Sequence, residues 1–414
     1  MHVPDRAEPL PRQRPRWSQL RPLVKLAVPA GRSGRVVTAA SIDDLRELAR
    51  RSAPRAVFDY VDGAAEAEVS YRRSRRAFER VEFRPQVLRD VSAPDTSTAV
   101  LGVPASMPLV LAPTGFTRMM HHRGEFAVAA AAAAVGVPYA LSTMGTVSPE
   151  RLSQARENDG ADRWFQLYLW RDRAASKELL ARVAASGYRG LVLTVDTPVT
   201  GARLRDVRNG LTIPPTLTLR TLADMSRHPA WWLNLLTTEP LTFATLTSTN
   251  GALGTMVNSL FDPAADLDDL AWLRATWNGP LVVKGVQTAA DARRVVDAGA
   301  DAVVLSNHGG RQLDRAVTPL EELPDVLDQV GGRAEIYLDG GVRNGADVIA
   351  AVALGARACL VGRAYLYGLM AGGQAGVTRA LDIFSADMRR TLALLGTPTL
   401  AHLGPDSVRL RPSY

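Results

Sequence analysis

The chain predicts an α/β fold, a (β/α)8 TIM barrel, on three observations. An alanine-rich helical stretch, a Gly or Gly-Ala stop and a short apolar run recur along it; eight such runs stand out; and each ends in polar or glycine residues that a plain structural turn would not select. Apolar runs without alternation are strands buried on both faces, as in parallel sheets. Strands alternating with helices argue for βαβ units, and eight of them suit a closed barrel rather than an open sheet. Barrel active sites gather at the carboxyl ends of the strands, so the polar endings predict an enzyme.

The elements follow in order. Residues 1–35 carry Arg6, Arg12, Arg14, Arg16, Arg21, Lys25, Arg32 and Arg35 against Asp5 and Glu8, with six prolines among them. Such a segment cannot bury enough apolar surface to fold alone, so 1–40 reads as a solvated basic extension. Attraction to an anionic membrane surface is a second reading. Nucleic acid is a third and is not expected, because no recognisable nucleic-acid module accompanies the charges. From Ser41 to about Pro104 the chain reads as helices leading into the barrel, with Ser41 capping Ile42–Arg51 and Asp44 near the first-turn amides. The barrel itself, in a domain 41–414, has strands expected near 109–112, 138–142, 164–168, 190–196, 280–284, 302–306, 335–339 and 358–362. Glycines such as Gly136, Gly187, Gly299 and Gly355 stop the preceding helices. The excursion from about Leu204 to Asp269, between the fourth and fifth strands, is expected to form a lid. Within it, Pro229 to Leu236 is apolar with paired tryptophans. Packing over the barrel mouth is its default reading, and dipping into a membrane interface is the alternative.

Bulk properties narrow the class. Hydrophobic residues make up 46% of the chain, enough for a sizeable core. The one cysteine, Cys359, sits inside an apolar run, so no disulfide forms within the chain, which fits a reducing cytoplasm. No apolar run reaches the length of a membrane span, and the N-terminus lacks the apolar core of a signal peptide. No Gly-x-Gly-x-x-Gly or Walker segment occurs, which argues against a nicotinamide dinucleotide or ATP, and no metal is expected.

The chemistry concentrates after the sixth strand, in Ser306-Asn307-His308-Gly309-Gly310-Arg311-Gln312-Leu313-Asp314. A base (His308) and a fixed cation (Arg311) three residues apart can hold a carboxylate and remove a proton beside it. The paired glycines are expected to let backbone approach a bound molecule. Asp196, after the fourth strand, is placed to orient the imidazole. Lys284 ends the fifth strand, where a buried ammonium without an anion would be costly. Gln166 and Tyr168 alternate along the third strand and point the same way. The ends of strands seven and eight supply Gly341, Arg343, Gly362 and Arg363, where barrels commonly bind phosphate.

These segments resemble the FMN-dependent α-hydroxy-acid oxidising enzymes, the family of glycolate oxidase, lactate oxidase, L-lactate dehydrogenase and mandelate dehydrogenase. The resemblance runs from about Ser41 to Ala401 and includes Phe58 to Glu66, Thr194 to Pro198, Gly201 to Gly210, Asp339 to Arg343 and Val361 to Arg363. It implies FMN as cofactor and His308 as base with Asp196 as its partner. It implies Arg203 and Arg311 at the substrate carboxylate, with Tyr60 bonding that carboxylate and Tyr168 the hydroxyl. Lys284 would stabilise the reduced flavin. Pro113, Thr114, Gly115, Ser142, Gln166, Thr194 and Ser306 would meet the ring and ribityl chain. Asp339 would take ribityl hydroxyls, and Gly340, Gly341, Arg343, Gly362 and Arg363 the phosphate end. Arg205 and Arg208 read as solvent-facing.

Gly115 stands where the oxidases carry alanine, and Met144 where plant glycolate oxidase has tryptophan. Gly115 thus leans towards a dehydrogenase and Met144 towards a substrate larger than glycolate, and the stretches Gly201 to Gly210 and Ala364 to Gly373 look most like bacterial quinone-linked L-lactate dehydrogenases. The implied activity is oxidation of an L-2-hydroxy acid, L-lactate foremost, with a quinone as acceptor. The alternative is an oxidase passing electrons to oxygen from lactate- or mandelate-type acids. A homotetramer and peripheral attachment to the inner face of the cell membrane complete the expectation.

Overall fold

The computed structural model describes residues 31–155, 160–210, 224, 226–245 and 262–412. Eight parallel strands close a barrel in consecutive order: β1 Leu109–Leu111, β2 Tyr139–Ser142, β3 Arg163–Leu167, β4 Gly190–Thr194, β5 Leu281–Val286, β6 Ala302–Leu305, β7 Glu335–Asp339 and β8 Ala358–Val361, with β8 pairing back on β1. Every expected strand is present, each within two residues of its expected ends.

Strand residues alternate between two packing layers because successive side chains leave a strand on opposite faces. Val110, Ala140, Trp164, Val192, Val282, Val304, Tyr337 and Leu360 fill the barrel interior. Leu109, Leu111, Leu141, Phe165, Leu191, Val283, Val303, Leu338 and Cys359 face outward into the layer beneath the helices. Each fully buried Val, Leu or Phe contributes about 1.5–3 kcal/mol relative to exposure.

The amino-terminal mouth is shut by a hairpin, Thr98–Val100 with Val103–Ala105. Val100 and Ala105 join the interior cluster, and the Leu101 amide donates to Tyr337 Oη at 3.2 Å. The lead-in therefore contains strand as well as helix; a second short strand, Val81–Phe83, pairs with Val408–Leu410. Helix Ile42–Ser52 begins with the expected cap, Ser41 accepting from the Asp44 amide and Asp44 reciprocating. That helix packs on the long carboxyl-terminal helix Arg363–Leu395. So does helix Arg32–Thr38, whose Val36 is buried in the core, so the packed body begins before residue 41. Most of the basic extension lies outside the described residues.

The excursion after β4 is described in part. It contains helices Leu204–Asn209 and Pro229–Leu236, and the chain returns through helix Leu267–Thr276. Phe243, from this excursion, is buried edge-on against Phe116 with ring centroids 4.3 Å apart, so a described part of it packs over the barrel mouth. Among the described residues, no helix is long and apolar enough to cross a membrane.

Candidate active site

Two residues beyond each interior apolar side chain, the strands place Ala112, Ser142, Gln166, Thr194, Lys284, Ser306, Asp339 and Gly362. The same alternation that fills the barrel thus makes its upper layer polar. Part of this layer satisfies itself. Lys284 Nζ lies 3.0 Å from Asp339 Oδ2 and 3.1 Å from Ser306 Oγ, and Ser142 Oγ donates to Gln166 Oε1 at 2.8 Å. Burial alone would lower the Lys284 pKa, but Asp339 and Asp196 outweigh it and raise it, so the ammonium stays charged. Gln166 Nε2 and Thr194 Oγ1 are buried with no partner among the described residues. Buried polar atoms are normally satisfied, so these two await a ligand.

Above the layer lies a cavity of about 240 Å³. Tyr60, Pro113, Thr114, Gly115, Ser142, Tyr168, Arg203, Lys284, His308, Arg311, Asp339, Gly340, Gly341, Arg343, Gly362 and Arg363 all line it, as the sequence led us to expect. Asp196, Gln166, Thr194 and Ser306 stand behind that lining. Ser306 spends its hydroxyl on Lys284, Asp339 and the His308 amide, which makes it an internal hub of the polar layer.

His308 sits at the start of a tight turn after β6 with φ +56°, an uncommon conformation for a residue with a Cβ. Asn307 holds the turn by accepting from the Gly310 amide at 3.1 Å and donating to Ser74 Oγ at 3.0 Å. His308 Nδ1 lies 2.9 Å from Asp196 Oδ1, and the carboxylate is almost fully buried. Burial would raise the Asp196 pKa, yet the charge and hydrogen bond of His308 and the field of Lys284 hold it below the ordinary carboxylate range. An ionised Asp196 fixes Nδ1 as the donor and leaves Nε2 as the base. Gly309 lines the cavity, and the paired glycines have a further job. A Cβ on Gly309 would meet Arg363 Nη1 at 2.5 Å, and one on Gly310 the Tyr71 amide nitrogen at 2.7 Å. They make room for protein groups.

Tyr60, on helix Arg55–Asp62, is flanked by both expected guanidiniums: Arg311 Cζ lies 5.0 Å and Arg203 Cζ 5.5 Å from its ring centre. Arg311 donates to the Tyr60 carbonyl at 2.6 Å and to that of Gly63 at 3.2 Å. Burial, together with the positive charges of Arg203 and Arg363, lowers the Arg311 pKa to about 10, the mark of a cation short of counter-charge. Arg205 is not solvent-facing. It pairs with Asp62 at 2.9 Å and Glu68 at 2.6 Å, clamping helix Leu204–Asn209 to the segment that carries Tyr60. Arg208 is exposed, as expected.

At the far end, Arg343 lies over the rings of Tyr367 (5.1 Å) and Tyr71 (5.8 Å) and donates to Tyr71 Oη at 2.9 Å, while its Nη1 is buried without a partner among the described residues. Arg363 is fixed by three carbonyls, Val61, Gly63 and Gly309, at 2.7–2.9 Å. Tyr71 and Tyr367 carry no signal in the sequence, since an isolated tyrosine reads as core. Gln312 was also missed: it donates to the Asp196 and Val199 carbonyls and accepts from the Gly201 amide, pinning the loop that leads to Arg203.

Among the described residues, five cations line the cavity, Arg203, Lys284, Arg311, Arg343 and Arg363, against the single carboxylate of Asp339. That excess of positive charge suits anionic occupants, a phosphate at one end and a carboxylate at the other. FMN fits: its phosphate answers the unpartnered Arg343 donor, and its ring carbonyls and ribityl hydroxyls answer Gln166 and Thr194.

Comparison with known proteins agrees. The FMN-dependent dehydrogenase profile matches residues 49–410. A Mycobacterium tuberculosis protein provisionally named L-lactate dehydrogenase is 53% identical over 399 residues, covering 96% of each chain. The L-lactate dehydrogenase of Caulobacter vibrioides is 43% identical over 371 residues, 88% of this chain and 96% of that one. Among solved structures, the monotopic membrane protein (S)-mandelate dehydrogenase superposes with a TM-score of 0.86 at 37% identity, covering 90% of this chain and all of the other. With the barrel, the charged cavity and these relatives in agreement, the chain belongs to the FMN-dependent dehydrogenase family and is an FMN-dependent oxidoreductase.

Proposed function

We propose that this protein oxidises an L-2-hydroxy acid, L-lactate foremost, to the 2-oxo acid and delivers the electrons to a quinone. The observation that carries this reading is the convergence of Arg203, Arg311 and Tyr60 beside the His308–Asp196 pair in one cavity. FMN, when bound, supplies the acceptor for the two electrons leaving the α-carbon. The protein does the rest. Arg203 and Arg311 bind the carboxylate, each charge-assisted contact contributing about 1.5–3 kcal/mol. Tyr60 and Tyr168 orient the carboxylate and hydroxyl. His308 Nε2 takes a proton, and Asp196 stabilises the imidazolium that results. Lys284, held charged by Asp339, sets a positive potential at the cavity floor.

Phe116, Met120, Met144 and Phe243 give the cavity an apolar wall for the acid's side chain. The relatives' names point to lactate, and the mandelate-specific structural neighbour makes an aryl side chain the second reading. A Cβ on Gly115 would lie 2.9 Å from Met144 Cβ, so alanine does not fit there without movement. That supports dehydrogenase over the oxidase reading, in which oxygen is the acceptor; the homologous L-lactate oxidase of Nostoc, 39% identical, marks the alternative. We place the enzyme on the cytoplasmic face of the membrane as a peripheral homotetramer whose unit is the barrel domain together with the helix Arg32–Thr38 packed on it. Anaerobic bleaching of the flavin by a panel of L- and D-2-hydroxy acids tests the reaction. Lactate is expected to bleach it with L selectivity; failure of every hydroxy acid would overturn the proposal. In air, less than one peroxide per ten turnovers is expected with a quinone present, and one peroxide per turnover would establish an oxidase.

A further inference from the structure

A second cavity, of about 290 Å³, lies behind the first, between helix Pro229–Leu236 and the long carboxyl-terminal helix. Its size is at the lower end of ligand pockets, room for a ring rather than a long tail. Met120 lines both cavities, so one side chain forms a shared wall between this space and the apolar side of the first cavity. Trp231, Leu235, Met370, Val36 and the imidazoles of His121 and His122 complete much of the lining.

The space is built at a cost to regular structure. Helix Arg363–Leu395 breaks at Gly372 and Gly373, whose φ/ψ values of −156°/21° and 61°/−139° are not helical. A Cβ on Gly373 would lie 2.8 Å from the His121 ring, so the break seats that imidazole, which stacks on His122 at 4.4 Å. His122 Nδ1 is buried with no hydrogen-bond partner among the described residues, and Arg118 stands alongside it. Burial and the charges of Arg123 and Arg118 lower the His122 pKa, which favours a neutral ring able to bond a carbonyl oxygen. On the other side of helix Pro229–Leu236, Leu233 is 63% and Leu236 73% exposed. The helix therefore shows one apolar face to the outside and another to the cavity.

We propose that this second cavity seats the ring of the electron acceptor, a lipophilic quinone, with Trp231 and Met120 against its face and His122 toward a carbonyl. The inference rests on the quinone-linked reading above and adds where the acceptor sits. The balance closes: the hydroxy acid gives up two electrons and two protons, and the quinone takes both pairs to become a quinol.

The test uses the FMN-loaded protein with decylubiquinone and menadione, and azido derivatives of both for photolabelling. Label is expected within 118–123, 229–236 or 368–376 and is expected to disappear with excess unlabelled quinone. Ala375→Trp and, separately, Ala230→Trp fill the cavity from exposed positions. Each is expected to lower labelling and quinone kcat/KM at least tenfold, with anaerobic bleaching by lactate and ferricyanide reduction unchanged. Unchanged quinone turnover in both variants, or displaceable label mapping only elsewhere, would overturn the site. Loss of bleaching in the unaltered protein would instead defeat the hydroxy-acid reading.

Discussion

At the residue scale, the His308–Asp196 pair is the test of the chemistry. His308→Gln keeps a polar ring-sized group on the same turn but cannot take the proton. We expect it to purify yellow, with lactate-driven bleaching slowed by about 10²–10⁴-fold, the usual worth of a positioned base. Stopped-flow absorbance under nitrogen reads this, and unimpaired bleaching would refute the assignment. Gln312 acts through other groups, as the pin between the Asp196 carbonyl and the loop ahead of Arg203. Gln312→Met leaves the loop to relax, so KM for lactate is expected to rise about tenfold, equivalent to about 1.4 kcal/mol, with FMN content unchanged. His308, Arg311 and Asp196 were legible in the sequence because base, cation and carboxylate types are rare together at strand ends. Gln312 was not, because a glutamine beside a catalytic motif has no chemistry of its own.

At the scale of elements, the clamp between the amino-terminal helices and the barrel decides how rigidly the substrate cations are held. Asp62 accepts from Arg46 at 2.6 Å, from Arg205 at 2.9 Å and from Tyr367 at 2.8 Å. Burial would raise its pKa, but these hydrogen bonds hold it well below the usual carboxylate range. A depressed pKa contributes stability above the unfolded carboxylate value, near 4, which is lost as the pH falls further. Thermal midpoints are therefore expected to fall below about pH 4 in the native protein, and less steeply in Asp62→Asn. At pH 7 the variant should lose roughly 1–3 kcal/mol, since it leaves Arg46 and Arg205 short of a partner. The strands and their order could be read from apolar runs and glycine stops. Arg205 was misread, because its acidic partners Asp59, Asp62 and Glu68 lie on another segment that only folding brings near.

At the scale of the whole molecule, the cavity's excess positive charge couples cofactor to stability. FMN at a hundred times its Kd should stabilise the fold by about 2.7 kcal/mol, read as a raised thermal midpoint. The outer face of helix Pro229–Leu236 bears on where the enzyme resides. Leu233→Glu with Leu236→Glu is expected to lower co-sedimentation with anionic vesicles while leaving anaerobic bleaching intact; unchanged co-sedimentation would assign that helix to the lid alone.

The sequence by itself determined the barrel, the order of its strands and the kinds of chemistry at their ends. Local periodicity and residue type encode those directly. Only the tertiary structure decided which groups share an environment: that Lys284 is paired with Asp339 and kept charged, that Gly309 and Gly310 yield space to Arg363 and Tyr71, and that a broken helix seats His121 beside a second cavity. These depend on distances between segments far apart in the chain, and spacing along a chain carries no record of them.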